Sequence, residues 1–374
     1  MADQRVFLAA CADYDMAEEA VARVLDAFGG AAAILGERKK VVVKPNLVMP
    51  RKPDGAATTH PAVVGAVCAA FIKAGASVGV IDSTAAFHTV PVLKMLYSAT
   101  GMEEMARKTG AELLYDTSSR TLDNPAGRIV GRFEIMTPVA EAEAVITIGK
   151  AKTHGLTGLS GTAKNLFGAV PGLGKPGMHK RFPLREDFAS MLLDLCELVS
   201  PRFALLDAVV GMEGPGPTGG TPKALGAVLG GFNPHAVDLA QARLMGFHPG
   251  RLPLLIEAAE RGYIPKSWES LDWLGDDPAP LETAFTPAVT SNTGGLPFLL
   301  RHLIPKRLAA RIRAARAPYP IVAPERCVGC EKCAQICPKA TVTMESGKAV
   351  IHTAECIRCY CCHEFCPAKA IDFK

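Results

Sequence analysis

The sequence predicts an α/β fold: a largely parallel, mixed sheet with helices on both faces, followed by a small α+β module at the carboxyl end. Three observations carry this reading. Short β-branched apolar runs alternate with longer helical patterns through residues 1–300. Nine of the twelve cysteines fall after residue 320. A length of 374 residues with 49% apolar composition supports a substantial core and about two or three domains.

The elements follow in order. RVFLAAC reads as a strand, Met16 to Phe28 as a helix, VVVKPNLV as a strand, Pro61 to Ala74 as a helix, and SVGVID as a strand. A helix over Val90 to Thr109 precedes strands at ELLYD, RIVGRFEIM and AVITIG. Helices at Asp187 to Val199 and Pro234 to Met245 flank strands at FALLDAVVG and ALGAVLGG. Continuous apolar strands separated by helices belong to a sheet buried on both faces.

Ligands of open α/β sheets collect beyond the carboxyl ends of the strands, and the residues there are chemically rich. Lys44 and Asn46 follow the second strand, His60 lies in the turn Thr58-Thr59-His60-Pro61, and Asp82 follows the third. After AVITIG come Lys150, Lys152 and His154, then a glycine-rich stretch holding Lys164, Asn165, Lys175 and His179. Glycines let backbone amides approach a ligand, lysines contact anions, and histidines exchange protons near neutrality. A stretch this long without obvious elements reads as a functional loop, an ordinary solvated loop being the alternative. The candidate catalytic set is His154, His179, Lys152, Asp82 and Glu213. The candidate set for binding a cofactor or substrate is Lys44, Asn46, His60, Lys164 and Asn165. An anionic small molecule suits both sets.

Two G-x-G-x-x-G matches, Gly214-Gly216-Gly219 and Gly172-Gly174-Gly177, are rejected as dinucleotide sites. Prolines interrupt both turns, and the first leads into a strand where a helix is required. Lys175 precedes Pro176 instead of Ser or Thr, which excludes a Walker A loop. Trp268 and Trp273 read as core anchors, a lid being the alternative.

The tail spells Cys327-x-x-Cys330-x-x-Cys333-x-x-x-Cys337-Pro338 and repeats it as Cys356-x-x-Cys359-x-x-Cys362-x-x-x-Cys366-Pro367. This spacing wraps three corners of a cubane, and the fourth Cys of each run reaches the other cluster. Two [4Fe-4S] clusters are therefore expected. One would use Cys327, Cys330, Cys333 and Cys366, the other Cys356, Cys359, Cys362 and Cys337. A zinc or disulfide framework fits poorly, because the ligands fall at every third residue and the unit is duplicated. Cys361 is off the pattern and reads as a packed thiol. Residues 321–374 thus form a two-cluster, ferredoxin-like domain.

Residues 301–320 are expected to form a basic linker helix between the two domains. Between Arg301 and Arg326 seven cations face one carboxylate, Glu325, with Leu303, Ile304, Leu308 and Ile312 interleaved. Such a helix offers a peripheral contact to anionic lipid or to an acidic electron-transfer partner; a solvated linker is the alternative. A net charge of +4 argues against a broad nucleic-acid surface. Neither a secretory signal nor a transmembrane segment is expected, and reduced thiols with iron–sulfur clusters fit a reducing, cytoplasmic setting.

The strings VVVKPNLV, TTHP, VIDST, KAKTH, GTAKNLFGAVPG and MEGPGPTGG, together with the cysteine tail, resemble the family catalogued as domain of unknown function 362, in its branch with a two-cluster tail. The resemblance spans nearly the whole chain. It implies the architecture and the clusters, and it names no reaction. The leading expectation is an iron–sulfur oxidoreductase whose tail passes low-potential electrons to an anionic molecule on the α/β domain, an additional organic cofactor being compatible with this. Tethering donor to acceptor is the motive. The alternatives are a non-catalytic electron carrier or cluster-delivery factor, and a non-redox acid–base enzyme with structural clusters. An electron donor or acceptor protein is the expected partner.

Overall fold

A computed structural model describes residues 3–84, 87–289 and 305–374. Among the described residues eleven strands precede the linker helix: β1 (Arg5–Ala10), β2 (Lys40–Pro45), β3 (Ser77–Val80), β4 (Glu112–Leu113), β5 (Ser119–Asp123), β6 (Arg132–Met136), β7 (Ala144–His154), β8 (Gly158–Ser160), β9 (Phe203–Glu213), β10 (Thr221–Gly231) and β11 (Asp272–Gly275). Nine of them build one sheet in the order β11-β1-β10-β9-β7-β2-β3-β4, with β8 folded back on β7, while β5 and β6 pair as a separate hairpin. The stretch β9-β7-β2-β3-β4 is parallel; β10 runs antiparallel to both β9 and β1. The mixed, largely parallel sheet read from the sequence is what forms.

Alternation along each strand divides the apolar residues between two cores. Val42, Val145, Ala204 and Leu206 face one layer, which includes the helices Arg185–Val199 and Pro234–Leu244. Val41, Val43, Ile146 and Leu205 face the other, with the helices Ala17–Asp26 and Pro61–Lys73. Because both faces are covered, the strands are apolar throughout and not alternately polar.

Two expectations change. The helix expected over Val90 to Thr109 is two helices, Val90–Ala99 and Met102–Thr109. Gly101 between them takes φ +76°, a left-handed conformation that ends one helix and redirects the chain. The stretch after AVITIG is not a structureless loop. β7 continues to His154, turns into β8, and leads to the helix Thr162–Asn165, a 3-10 turn at Leu166–Ala169 and the helix Gly174–Arg181. Lysines inside a fully buried strand hid this continuation, and they are tolerated because each finds polar partners.

Trp268 and Trp273 pack against the core near the outer edge strand β11, Trp273 Nε1 donating to Trp268 O at 3.0 Å. They are anchors. Of the linker, Arg301, Leu303 and Ile304 lie outside the described residues. The helix Lys306–Arg316 buries Ala309 and Ala310, and its Arg313 pairs with Glu186 at 2.5 Å. The last domain pairs β12 (Pro320–Val322) with β15 (Ile371–Phe373) and β13 (Val342–Glu345) with β14 (Lys348–Ile351), around two short helices, Lys332–Ile336 and Cys361–Glu364.

The start of the helix Thr162–Asn165 is fixed by a buried carboxylate. Asp238 accepts from Thr162 N at 2.5 Å, Thr162 Oγ1 at 2.7 Å and Ala163 N at 3.2 Å. Replacing Asp238 with Ala leaves these donors unpaired. The expected loss is about 2–3 kcal/mol, read as a lowered thermal midpoint under anaerobic conditions.

Candidate functional site

The chain moves from β2 outward to β3 and β4, then returns to the opposite side of β2 as β7. This reversal is the switch point at which open α/β sheets leave a crevice. Lys44, at the end of β2, is fully buried; its Nζ lies 2.7 Å from Asp82 Oδ1 and 3.2 Å from Asn165 Oδ1. Asp82 Oδ2 accepts from Leu47 N at 2.7 Å. Asn165 Nδ2 donates to Lys44 O and to Thr147 Oγ1, both at 2.9 Å. Burial pulls the Lys44 ammonium below its usual range, and the adjacent Asp82 opposes that pull. Gly168 is required here, because a Cβ on it would come within 2.1 Å of Asp82 Oδ1 and 2.4 Å of Lys44 Nζ.

The extension of β7 presents Lys150, Lys152 and His154 at alternate positions. Lys150 is neutralised by Asp207 at 2.8 Å and donates to Tyr14 OH at 2.7 Å. Lys152 has only neutral partners, Asn46 Oδ1 at 2.7 Å and Ala57 O at 2.6 Å. Burial, with the Lys164 charge second, drives its pKa well down. His154 Nδ1 accepts from Leu156 N at 3.0 Å, which leaves the proton of the neutral ring on Nε2. That Nε2 stands 3.2 Å from Glu364 Oε1 of the C-terminal domain, and among the described residues neither atom has a hydrogen-bond partner. Burial depresses the His154 pKa strongly and raises that of Glu364.

A cleft with an empty volume of about 640 Å³, counting its open mouth, lies between the two domains. Its walls include Asn46, Asp82, Lys152, Lys164 and Asn165 from the α/β side, and Cys361 and Glu364 from the other. Among the described residues the Lys164 ammonium has no hydrogen-bonded partner; Phe167 lies beneath it at 5.9 Å. Lys175 also lines the cleft, donating to Thr84 O at 2.9 Å and to Ser83 Oγ. Burial brings the Lys175 pKa down to about 7, the nearby Asp82 resisting. His179 stacks on Phe188 at 4.3 Å; its Nδ1 is buried without a partner, and burial followed by the Lys164 charge lowers its pKa to about 3.

Two of the expected site residues lie elsewhere. Glu213 pairs with Lys223 at 2.9 Å and accepts from Thr286 N, a brace across the β9–β10 hairpin. The His60 ring stacks on Tyr14 at 3.6 Å and its Nδ1 caps the helix Pro61–Lys73, while its backbone N donates to Asp207. Sequence reasoning did not single out Glu364, left Lys175 out of both candidate sets, and read Cys361 as a packed thiol in preference to a ligand, whereas all three line the cleft. The available signal for Cys361 was its intrusion into an otherwise regular cysteine run. The rejected glycine loop after β9 turns out to hold the C-terminal domain: Thr218 Oγ1 donates to Glu364 O at 2.8 Å, and His363 Nε2 lies 3.0 Å from Pro215 O.

The tail cysteines gather in two groups. Cys327, Cys330, Cys333 and Cys366 line one cavity, and Cys337, Cys356, Cys359 and Cys362 line another. Each group takes three residues from one run and the last from the other. Left-handed residues recur at matching offsets, Gly329 and Glu331 in the first run and Arg358 and Tyr360 in the second, curling each loop inward. Backbone N–H groups of Thr341 and Ala370 point at Cys337 Sγ and Cys366 Sγ, at 3.3 and 3.2 Å. Four converging thiols with amide donors to sulfur fit a [4Fe-4S] cluster. Cys361 lies in the wall of the second cavity and in the wall of the cleft.

The fold and these sites define an α/β domain joined to an iron–sulfur module. Residues 319–367 match the model of the 4Fe-4S dicluster domain, and residues 41–243 match that of the domain of unknown function DUF362. The chain belongs to the DUF362 family. It is 25% identical over 253 residues, 66% of this chain and 75% of the relative, to a thylakoid-associated protein of Synechocystis sp.. Among solved structures it is similar to the lactate racemase apoprotein of Thermoanaerobacterium thermosaccharolyticum, with a TM-score of 0.41, 15% identity and coverage of 64% of this chain and 57% of that one. A Thermotoga maritima protein is similar with a TM-score of 0.30, 11% identity and coverage of 54% and 51%. No helix among the described residues is long and apolar enough to cross a membrane.

Two outcomes are expected. Lys175 is charged below its pKa of about 7 and neutral above it, so affinity for sulfate, whose own charge is constant there, falls several-fold as pH rises through neutrality. Calorimetric titration on either side reads this, and Lys175→Met flattens the profile. Cys361→Ala keeps the iron content of the wild type, whereas Cys356→Ser lowers it, as measured by iron analysis of protein purified without oxygen.

Proposed function

We propose that the chain is an iron–sulfur oxidoreductase in which the C-terminal domain passes electrons to an anionic small molecule held in the interdomain cleft. The observation that carries this reading is the position of Cys361, in the wall of both the cleft and the second four-cysteine cavity. In this reading the chain holds two [4Fe-4S] clusters, one on Cys327, Cys330, Cys333 and Cys366, the other on Cys337, Cys356, Cys359 and Cys362. Bound clusters of this type supply single electrons at low potential.

The residues of the α/β domain do the rest. Lys152 and Lys164 attract the anion, with Asn46 and Asn165 positioning its polar edges. Lys175, with a pKa of about 7, exchanges a proton with the molecule as its charge changes. His179, in the cleft wall, remains neutral and offers a ring nitrogen to the ligand, while His154, which is not part of that wall, stands against Glu364. The exposed Arg307, Arg311 and Arg316 form a peripheral contact for an acidic redox partner or an anionic membrane surface. The description of the Synechocystis relative as thylakoid-associated is in keeping with the latter. Reduced cysteines are in keeping with a reducing compartment such as the cytoplasm.

The test uses the full chain purified without oxygen. Native mass spectrometry is expected to find a small anion in addition to the iron–sulfur mass, and Lys164→Gln to lose that anion while keeping its iron. Reoxidation of the dithionite-reduced protein by the recovered molecule is expected to slow at least about tenfold in the variant, roughly the loss of one charged contact. Retention of iron–sulfur mass alone, with unaltered electron transfer to partner proteins in Lys164→Gln, would instead identify a carrier.

A further inference from the structure

We infer that the ligand of the interdomain cleft is a compact dianion, bearing two negative charges on one small skeleton; this rests on the anionic-ligand reading above. The argument is one of charge balance. Lys44 is matched by Asp82 and Lys150 by Asp207, each at ion-pair distance. Lys152, Lys164 and Lys175 line the cleft, and among the described residues none of them has a carboxylate within ion-pair distance. The remaining carboxylate of the wall, Glu364, stands against His154. Three lysines therefore share one partly desolvated space, and among the described residues the Glu364 carboxyl is the one acidic group of the wall not already paired with a lysine.

Mutual repulsion among them is visible in their environment. The Lys164 charge bears on Lys152, His154, Lys175 and His179 alike, lowering the proton affinity of each. A single negative charge would leave most of that repulsion in place. Two charges would nearly balance it, because uncompensated buried charge is the costly state. The amphipathic lining limits the rest of the ligand: Phe167, Pro217, Ile336 and Phe365 form its apolar parts. His179, a residue of the cleft wall, keeps its buried Nδ1 without a hydrogen-bond partner among the described residues. A short dicarboxylate or a phosphate-bearing molecule has this chemistry.

The experiment is a calorimetric titration of the anaerobically purified full chain with malonate, inorganic phosphate and acetate at equal ionic strength. Malonate or phosphate is expected to bind at least tenfold more tightly than acetate. A preference for malonate identifies a dicarboxylate site; a preference for phosphate identifies a phosphoryl site. In Lys164→Gln the dianion is expected to lose at least tenfold in affinity and acetate less than threefold. Equal affinity of wild-type protein for acetate and both dianions would overturn the inference, as would no binding of any of the three. The electron-transfer reading is read separately, from reoxidation of reduced protein. Dianions that bind while leaving reoxidation unaltered by any cleft ligand would sink that reading and leave this one standing. A monoanion that binds as tightly as malonate and accelerates reoxidation would do the reverse.

Discussion

The buried set Lys44, Asp82 and Asn165 is the constraint on which the site depends. It ties the end of β2 to the segment after β3 and to the short helix after β8. A lone ammonium at this depth would be neutral or would drag in water; a carboxylate and an amide oxygen make it tolerable. The amide nitrogen of Asn165 returns to the carbonyl of Lys44 and to Thr147 on β7, so the network also fixes backbone position. With those three segments held, the neighbouring Lys152, Lys164 and Lys175 converge on one cleft instead of dispersing to the surface.

The C-terminal domain completes what the sheet begins. Its contacts are specific and mostly polar. Thr218 and Pro215 grip the short helix Cys361–Glu364, and Tyr360 OH donates to Pro318 O at 3.0 Å. Through that one helix the domain contributes a thiol and a carboxyl to the cleft and a wall to the adjacent four-cysteine cavity. Cys361 lies in the wall of both spaces. The tail is thereby an integral wall of the cleft, more than an appendage on a tether.

Much of this was legible from residue order. Apolar runs such as VVVKPNLV and AVITIG located the central strands, and the duplicated cysteine spacing located both groups of four with their exchange of the last member. The lysines and asparagines after those strands were legible because polar residues at the carboxyl ends of parallel strands have few structural reasons to be there. What escaped was set by tertiary contact. Lys150 to His154 read as a loop because charge inside a strand contradicts local propensity, yet neighbours on other strands satisfy it. Glu213 looked functional beside a glycine-rich loop, but hairpin pairing gave it to Lys223. His60 was consumed as a helix cap. Glu364 is indistinguishable by sequence from a solvated acid, and its place in the cleft wall against His154 arises only from tertiary contact.

The two four-cysteine cavities differ in their exposure. The first includes Cys330, which is exposed, beside Val328 at 69% exposure; the second has no exposed cysteine, and Tyr360 at 3% covers it. Molecular oxygen therefore meets the contents of the first cavity before those of the second. A cluster held by the first four cysteines would be the first that air destroys, and one held by the second four, beside the cleft, the last. Loss of iron in air would then come in two phases, the outer four cysteines emptying before the inner four.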